Sequence, residues 1–215
     1  MSGVVLRAKV AVLGDSGVGK TALTQMFTSG AFPKSHRTTS GMDLAVASVP
    51  IEGSKATVEL FLCDISGHDM FTDITPSLLH GVNMVILVYD QCSRSTFEAC
   101  EKLLRAIIPT SGAREVRGVL VGNKHDLVGH VNYDADGDGA VTAEEEAVAS
   151  EKLSKLRPRE VSVEEARRWA ESRNLTFFET SAVPPGTKLD APFKWCAETF
   201  HSAYERQLKQ LTTAS

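Results

Sequence analysis

Apolar and polar positions follow two different periods along this chain, and the changes from one period to the other mark its elements. Residues 6–13 (LRAKVAVL), 82–90 (VNMVILVYD) and 116–123 (VRGVLVGN) are short, nearly continuous apolar runs, the pattern of strands buried on both faces of a parallel sheet. Residues 42–51 (MDLAVASVPI) and 56–64 (ATVELFLCD) read as two more strands, and the IEGSK turn between them predicts an antiparallel hairpin. Residues 175–180 (LTFFET) make a sixth. Helical spacing appears at 21–28, with Leu23, Met26 and Phe27 together, and at 95–108, with Phe97, Cys100, Leu103, Leu104, Ile107 and Ile108 on one face. That second helix stops ahead of Pro109, whose ring disfavours the helical conformation in the residue before it. Two more helices are predicted at 163–173 and 192–211, the last with Phe193, Cys196, Phe200, Tyr204, Leu208 and Leu211 on its inner side. Strand and helix alternate, which predicts a doubly wound, mostly parallel six-stranded α/β sheet.

Two stretches fall outside this alternation. Residues 29–41 are a polar loop containing Gly and Pro, and residues 129–158 are polar, carry DADGDG and EEE, and hold little that could join a sheet. A chain of 215 residues supports one good core, so residues 1–215 are expected to form a single domain with an insertion at 129–158. The net charge of -4 leaves no excess of Lys and Arg to displace counterions from a phosphate backbone, which argues against a general nucleic-acid binder. No apolar run reaches the length of a membrane span, and the opening MSGVVLRAKV lacks the parts of a signal peptide, so a cytoplasmic location is expected. Cys63, Cys92, Cys100 and Cys196 lie in apolar surroundings without C-x-x-C spacing and read as buried free thiols.

The first strand and the first helix are joined by GDSGVGKT, residues 14–21, which fits the phosphate-binding loop G-x-x-x-x-G-K-[ST]. Successive backbone N–H groups must turn inward on a polyanion, and a Cβ at Gly14 or Gly19 would block that path. The backbone of Ser16, Gly17, Val18 and Gly19 is thus expected to cradle phosphate, with Lys20 neutralising β- and γ-phosphate charge and the Thr21 hydroxyl ligating Mg²⁺.

Open α/β sheets bind ligands beyond the carboxyl ends of their strands, and three further motifs stand there. In DISG, residues 64–67, Asp64 is a candidate for the Mg²⁺ site and the Gly67 N–H for sensing a γ-phosphate. NKHD, residues 123–126, brings Asn123 and Lys124 and ends on Asp126, whose carboxylate can accept from N1–H and the exocyclic amine of guanine. Adenine would set a lone pair against that carboxylate, a mismatch that hydrogen-bonding pockets penalise by roughly 10⁴-fold. In TSA, residues 180–182, Ser181 and Ala182 follow the last strand, and the Ala182 N–H can meet the guanine carbonyl.

These four motifs in this order resemble the Ras superfamily of small GTPases, and within it the Rab-like branch, over residues 7–208 apart from the insertion. The resemblance implies the P-loop small GTPase fold, with GTP or GDP and Mg²⁺ as ligands. It implies that Thr39 in TTSGMDL is the switch threonine that ligates Mg²⁺ in the triphosphate state. Phe32, seven residues earlier, is either an aromatic ring against the guanine face or a core anchor for its loop. The wording of TSGMDL, VELFLCDISG, ILVYD, VLVGNKHDL and FFETSAVPPGTKLDAPF is most similar to Rab-like subunits of the intraflagellar transport machinery. That closer resemblance implies intraflagellar transport protein 25 and other B-complex subunits as partners, cargo handling with the BBSome, and a place in the cytoplasm and the cilium or flagellum.

Two departures separate the chain from most of that family. His68 follows DISG, where the family pattern has a Gln that orients the attacking water, so His68 is the candidate catalytic residue beside Lys20, or else a loop His without catalytic duty. Hydrolysis is expected at or below the roughly 10⁻⁴ s⁻¹ of an unassisted Ras-type site. The end of the sequence, LKQLTTAS, has no cysteine for prenylation, and no lipid anchor is expected. Both departures favour a GTP-binding structural subunit over a conventional Rab-type timer of vesicle traffic.

Within the insertion, residues 134–145 (DADGDGAVTAEE) fit the twelve-residue calcium loop of an EF-hand. Asp134, Asp136 and Asp138 take the first, third and fifth places, Ala140 offers a carbonyl at the seventh, Thr142 stands at the ninth and Glu145 at the twelfth. Residues 144–156 can form the exiting helix, but HVNY is no entering helix and no second loop exists to pair with this one. The segment is either a weak calcium half-site or a solvated acidic loop.

Overall fold

The computed structural model describes residues 3–33, 39–67, 79–107, 117–129, 154–184 and 188–213. In chain order they form β1 (Val5–Leu13), α1 (Lys20–Ser29), β2 (Met42–Pro50), β3 (Thr57–Ile65) and β4 (Met84–Asp90). These are followed by α2 (Arg94–Ile107), β5 (Arg117–Asn123), a 3₁₀ turn (His125–Leu127), α3 (Val163–Glu171), β6 (Leu175–Glu179) and α4 (Ala191–Thr213). The six strands make one sheet in the order β2-β3-β1-β4-β5-β6. All pairings are parallel except β2 with β3, which is the antiparallel hairpin expected from the IEGSK turn.

The apolar runs explain the central position of β1 and β4. Side chains alternate across a strand, so Val10 and Val12 of β1 enter one core with Ile86 and Val88, while Ala11 and Leu13 enter the other with Leu87 and Tyr89. The first core is closed by α1 and α4, whose Phe27 and Phe193 rings stack at 4.1 Å. The second is closed by α2 and α3, where Tyr89, Phe97 and Trp169 follow one another in edge-on and tilted contacts. Phe193 is 1% exposed, and truncating such a ring to Ala costs about 3–5 kcal/mol. All four cysteines are buried free thiols, and burial pushes Cys100 and Cys196 up to about 12.

One expectation for α4 needs correction. Phe193 and Cys196 are buried and Phe200 packs at the edge of the first core, but Leu208 is 43% and Leu211 68% exposed. The buried residues of α4 end at His201. At about 1.5 Å per residue this 23-residue helix is long, and its helical spacing continues well past His201, its last buried residue. No described helix is long and apolar enough to cross a membrane.

Residues bordering the expected insertion meet at one place. Val128 and Arg157 form a parallel bridge, with Gly129 N–H donating to the Arg157 carbonyl at 3.0 Å and Arg157 N–H to the Leu127 carbonyl at 2.8 Å. Residues 134–145, proposed from sequence as a calcium loop, lie outside the described residues, as does most of 144–156.

Candidate functional site

β1 ends at Leu13 and α1 begins at Lys20, so Gly14, Ser16, Gly17, Val18 and Gly19 form the connection at the carboxyl edge of the sheet. Gly17 and Gly19 have left-handed backbones, φ 74° and 96°, which turn the chain back on itself. A Cβ at Gly19 would also lie 2.4 Å from Asn123 Nδ2, so neither backbone nor space admits a side chain. Gly19 caps α1 without any side-chain hydrogen bond, and the first turn holds no acidic residue. The positive end of the helix dipole therefore faces the loop uncompensated by side chains, as anion sites require.

Lys20 is 6% exposed, and its Nζ donates to the carbonyls of Gly14 at 2.9 Å and Asp15 at 2.8 Å. Burial lowers its pKa, against the opposing pull of Asp64 and Asp15. Two of its three donors hold the loop in shape, and the third is what a phosphate oxygen would take. Thr21, Thr39 and Asp64 meet beside it although they come from three elements. Thr21 Oγ1 donates to Asp64 Oδ2 at 2.5 Å and lies 3.0 Å from Thr39 Oγ1. Asp64 is 2% exposed, and its Oδ1 has no hydrogen-bond partner among the described residues. Burial raises the Asp64 pKa, which Thr21 and Lys20 only partly offset.

This donor set fits Mg²⁺. Among the described residues no three His, Cys, Asp or Glu side chains gather as a metal cluster. Mg²⁺ does not need one, because it keeps several waters and takes few protein oxygens together with substrate phosphates. Thr21, Thr39 and Asp64 would supply those oxygens, and the ion would neutralise phosphate charge there. Gly67 presses on the phosphate loop from the same side, since a Cβ on it would stand 2.5 Å from Ser16 N. His68 lies outside the described residues. Phe32 is 42% exposed, which removes its reading as a core anchor.

The NKHD and TSA motifs, expected from the sequence to read the base, gather at the ends of β5 and β6. Asn123 is 1% exposed; its Nδ2 donates to the Val18 carbonyl at 2.8 Å, and its Oδ1 accepts from Thr180 Oγ1 at 3.3 Å. The backbone then locks the two strand ends together, with Thr180 N–H donating to the Gly122 carbonyl and His125 N–H to the Thr180 carbonyl. Ser181 Oγ donates to Asp126 Oδ1 at 2.5 Å, which orients the carboxylate. Ala182 is buried beside it. Lys124 takes a left-handed backbone, φ 62°, and pairs through Nζ with Asp90 Oδ2 at 2.9 Å.

Sequence reasoning missed three supporting residues. Asp90 is 4% exposed and accepts the Cys92 N–H at 2.9 Å. Burial alone would push its pKa up, but hydrogen bonds from Lys124 and Cys92 N–H and the charges of Lys124 and Arg157 carry it below the usual carboxylate range. Gln91, fully buried, donates from Nε2 to the Gly122 carbonyl at 2.6 Å and sets Oε1 3.3 Å from His125 Nδ1. Thr180 joins Asn123 to β6. The register pairs Asp90 with Asn123, so applying the strand-end rule to β4 as well would have found Asp90.

Together these features define an α/β protein with a glycine loop over a buried lysine at the carboxyl edge of its sheet, the arrangement of a P-loop fold. A model of the Ras family matches residues 9–202, and the chain belongs to that family. Membership implies GTP or GDP and Mg²⁺ as ligands in general terms. Intraflagellar transport protein 27 of Chlamydomonas reinhardtii is 37% identical over 93% of this chain and 87% of its own length. The human intraflagellar transport protein 27 homolog is 36% identical over 96% of each chain. Human Ras-related protein Rab-30 is 33% identical over 81% of this chain and 70% of its own length.

Proposed function

We propose that this chain is a GTP-binding Rab-like subunit of intraflagellar transport, in which the nucleotide sets the shape of a docking domain and hydrolysis is slow. The observation that carries the guanine reading is Ser181 holding Asp126 at the ends of β5 and β6. The transport reading is supported by the likeness to intraflagellar transport protein 27 along nearly the whole chain. In it, residues 14–21 and Lys20 hold the phosphates, Asn123, Lys124, Asp126, Ser181 and Ala182 hold the base, and Thr21, Thr39 and Asp64 hold Mg²⁺. Gly67 senses the γ-phosphate, and His68 in place of Gln keeps hydrolysis at or below about 10⁻⁴ s⁻¹. The same reading makes the protein a B-complex subunit of the cytoplasm and the cilium or flagellum, paired with intraflagellar transport protein 25 and acting with the BBSome on cargo. Residues 129–158 are its insertion, with residues 134–145 as a weak calcium half-site, which calorimetry of the wild type and Glu145→Gln tests directly.

The similarity to Rab-30 favours the second reading, a conventional timer in vesicle traffic. Single-turnover hydrolysis separates the two. A rate near the unassisted value, with partner co-purification and bound guanine nucleotide, is expected; a rate of about one per second without a helper protein overturns the first reading.

A further inference from the structure

We propose that Arg157 is a positioning residue for guanine-nucleotide binding, acting through Asp90 on Lys124. Asp90 Oδ2 is shared by two cations, Lys124 Nζ at 2.9 Å and Arg157 Nη2 at 3.1 Å. Lys124 sits between Asn123 and Asp126, at the turn that reads the base, whereas Arg157 arrives from far along the chain. A nearly buried carboxylate needs full compensation, and one ammonium held by a single contact supplies it only as long as it stays in place. Arg157 provides the second charge, so Asp90 remains a fixed anchor that holds the Lys124 ammonium beside a left-handed backbone.

The backbone makes the same connection. Arg157 N–H donates to the carbonyl of Leu127, the last residue of the turn that carries Asp126, and Cys92 Sγ lies 3.8 Å from the Arg157 carbonyl. Arg157 is thus stapled to the base-reading turn by its main chain and to the Lys124 anchor by its side chain. Any shift of this re-entering strand of chain reaches both. The sequence gives no sign of this role, because Arg157 lies in a polar stretch with no motif around it.

The inference rests on the assignment of Lys124 and Asp126 to the base site, so the experiment checks that assignment separately. Dissociation of a fluorescent guanine diphosphate is measured for the full chain, Arg157→Gln, Arg157→Lys, Lys124→Ala and the Arg157→Gln/Lys124→Ala double variant, with Asp126→Asn as the check on the site. Arg157 is 44% exposed in its side chain, so the expected effect is that of a partly screened ion pair, about three- to fivefold faster dissociation for Arg157→Gln. Arg157→Lys restores part of the loss, and the effect shrinks in about 1 M salt, where the screening length falls to about 3 Å. In the Lys124→Ala background Arg157→Gln adds nothing. Unchanged dissociation in Arg157→Gln, or an effect undiminished without Lys124, overturns the proposal. If Asp126→Asn also leaves dissociation unchanged, the base-site assignment fails and the proposal fails with it.

Discussion

Asn123 Nδ2 donates to the Val18 carbonyl at 2.8 Å, joining the NKHD motif to the glycine loop across 105 positions of sequence. Both groups are buried, and Asn123 Oδ1 at the same time receives Thr180 Oγ1. One side chain thus holds the three segments that a nucleotide would span. Asn123→Ala leaves a buried carbonyl and a buried hydroxyl without their partner, which costs about 1–3 kcal/mol. The expected outcome is a lower unfolding midpoint in urea and weaker binding of GDP and GTP by similar factors, since the bond lies away from the γ-phosphate. Normal affinity with normal stability would show that the phosphate loop keeps its shape without Asn123.

Lys20→Ala removes the buried ammonium that ties the Gly14 and Asp15 carbonyls. Loop geometry and phosphate compensation fall together, so affinity for GDP and GTP should drop well beyond tenfold. Equilibrium titration with a fluorescent nucleotide reads this, and a loss smaller than tenfold would contradict the loop assignment.

Gly67→Ala places a methyl group 2.5 Å from Ser16 N and from the Asp15 carbonyl carbon, both backbone atoms. Either the loop or residues 66–67 must move, and the triphosphate should suffer more than the diphosphate, because Gly67 is the proposed γ-phosphate sensor. Comparing GTP with GDP affinity tests it; equal losses would make Gly67 a packing residue alone.

Asp126→Asn exchanges one of two carboxylate acceptors for a donor while Ser181 still has an oxygen to bond. Charge-assisted bonds are worth about 1.5–3 kcal/mol, so GTP affinity should fall roughly ten- to a hundredfold. Inosine triphosphate lacks the exocyclic amine and should lose less. An equal loss for the two nucleotides would remove Asp126 from the base.

Asp90 gives the protein a defined acid limb. Its folded-state pKa is depressed below 3.8, so its contribution is present above that value and disappears as pH falls through the folded pKa. Wild type should exceed Asp90→Asn in urea stability by about 1–3 kcal/mol at neutral pH, and the gap should close from about pH 4 downward. A gap that does not narrow at all as pH falls below about 4 would mean that Asp90 acts by shape rather than charge.

The six strands and four long helices were legible in the sequence because burial on both faces leaves continuous apolar runs and burial on one face leaves a helical period. The phosphate loop was legible for a different reason: glycine and lysine at fixed local spacing are required by the backbone path itself. Asp64 and Asn123 could be placed because each lies at the end of a recognisable strand and Asp126 because it follows one closely, and the sheet brings strand ends to one edge. The sequence could not show that Leu208 and Leu211 are exposed, since a helical period records which side of a helix is apolar and not how much of that side is covered. Nor could it show that Asp90 pairs with Lys124 and Arg157 together, or that Gln91 and Thr180 brace the end of β5. Those contacts join residues many positions apart whose own neighbourhoods carry no pattern. Only the parallel register of β4, β5 and β6 and the bridge from Val128 to Arg157 bring them within hydrogen-bond reach, because a side-chain bond depends on distances of a few ångströms that local sequence does not encode.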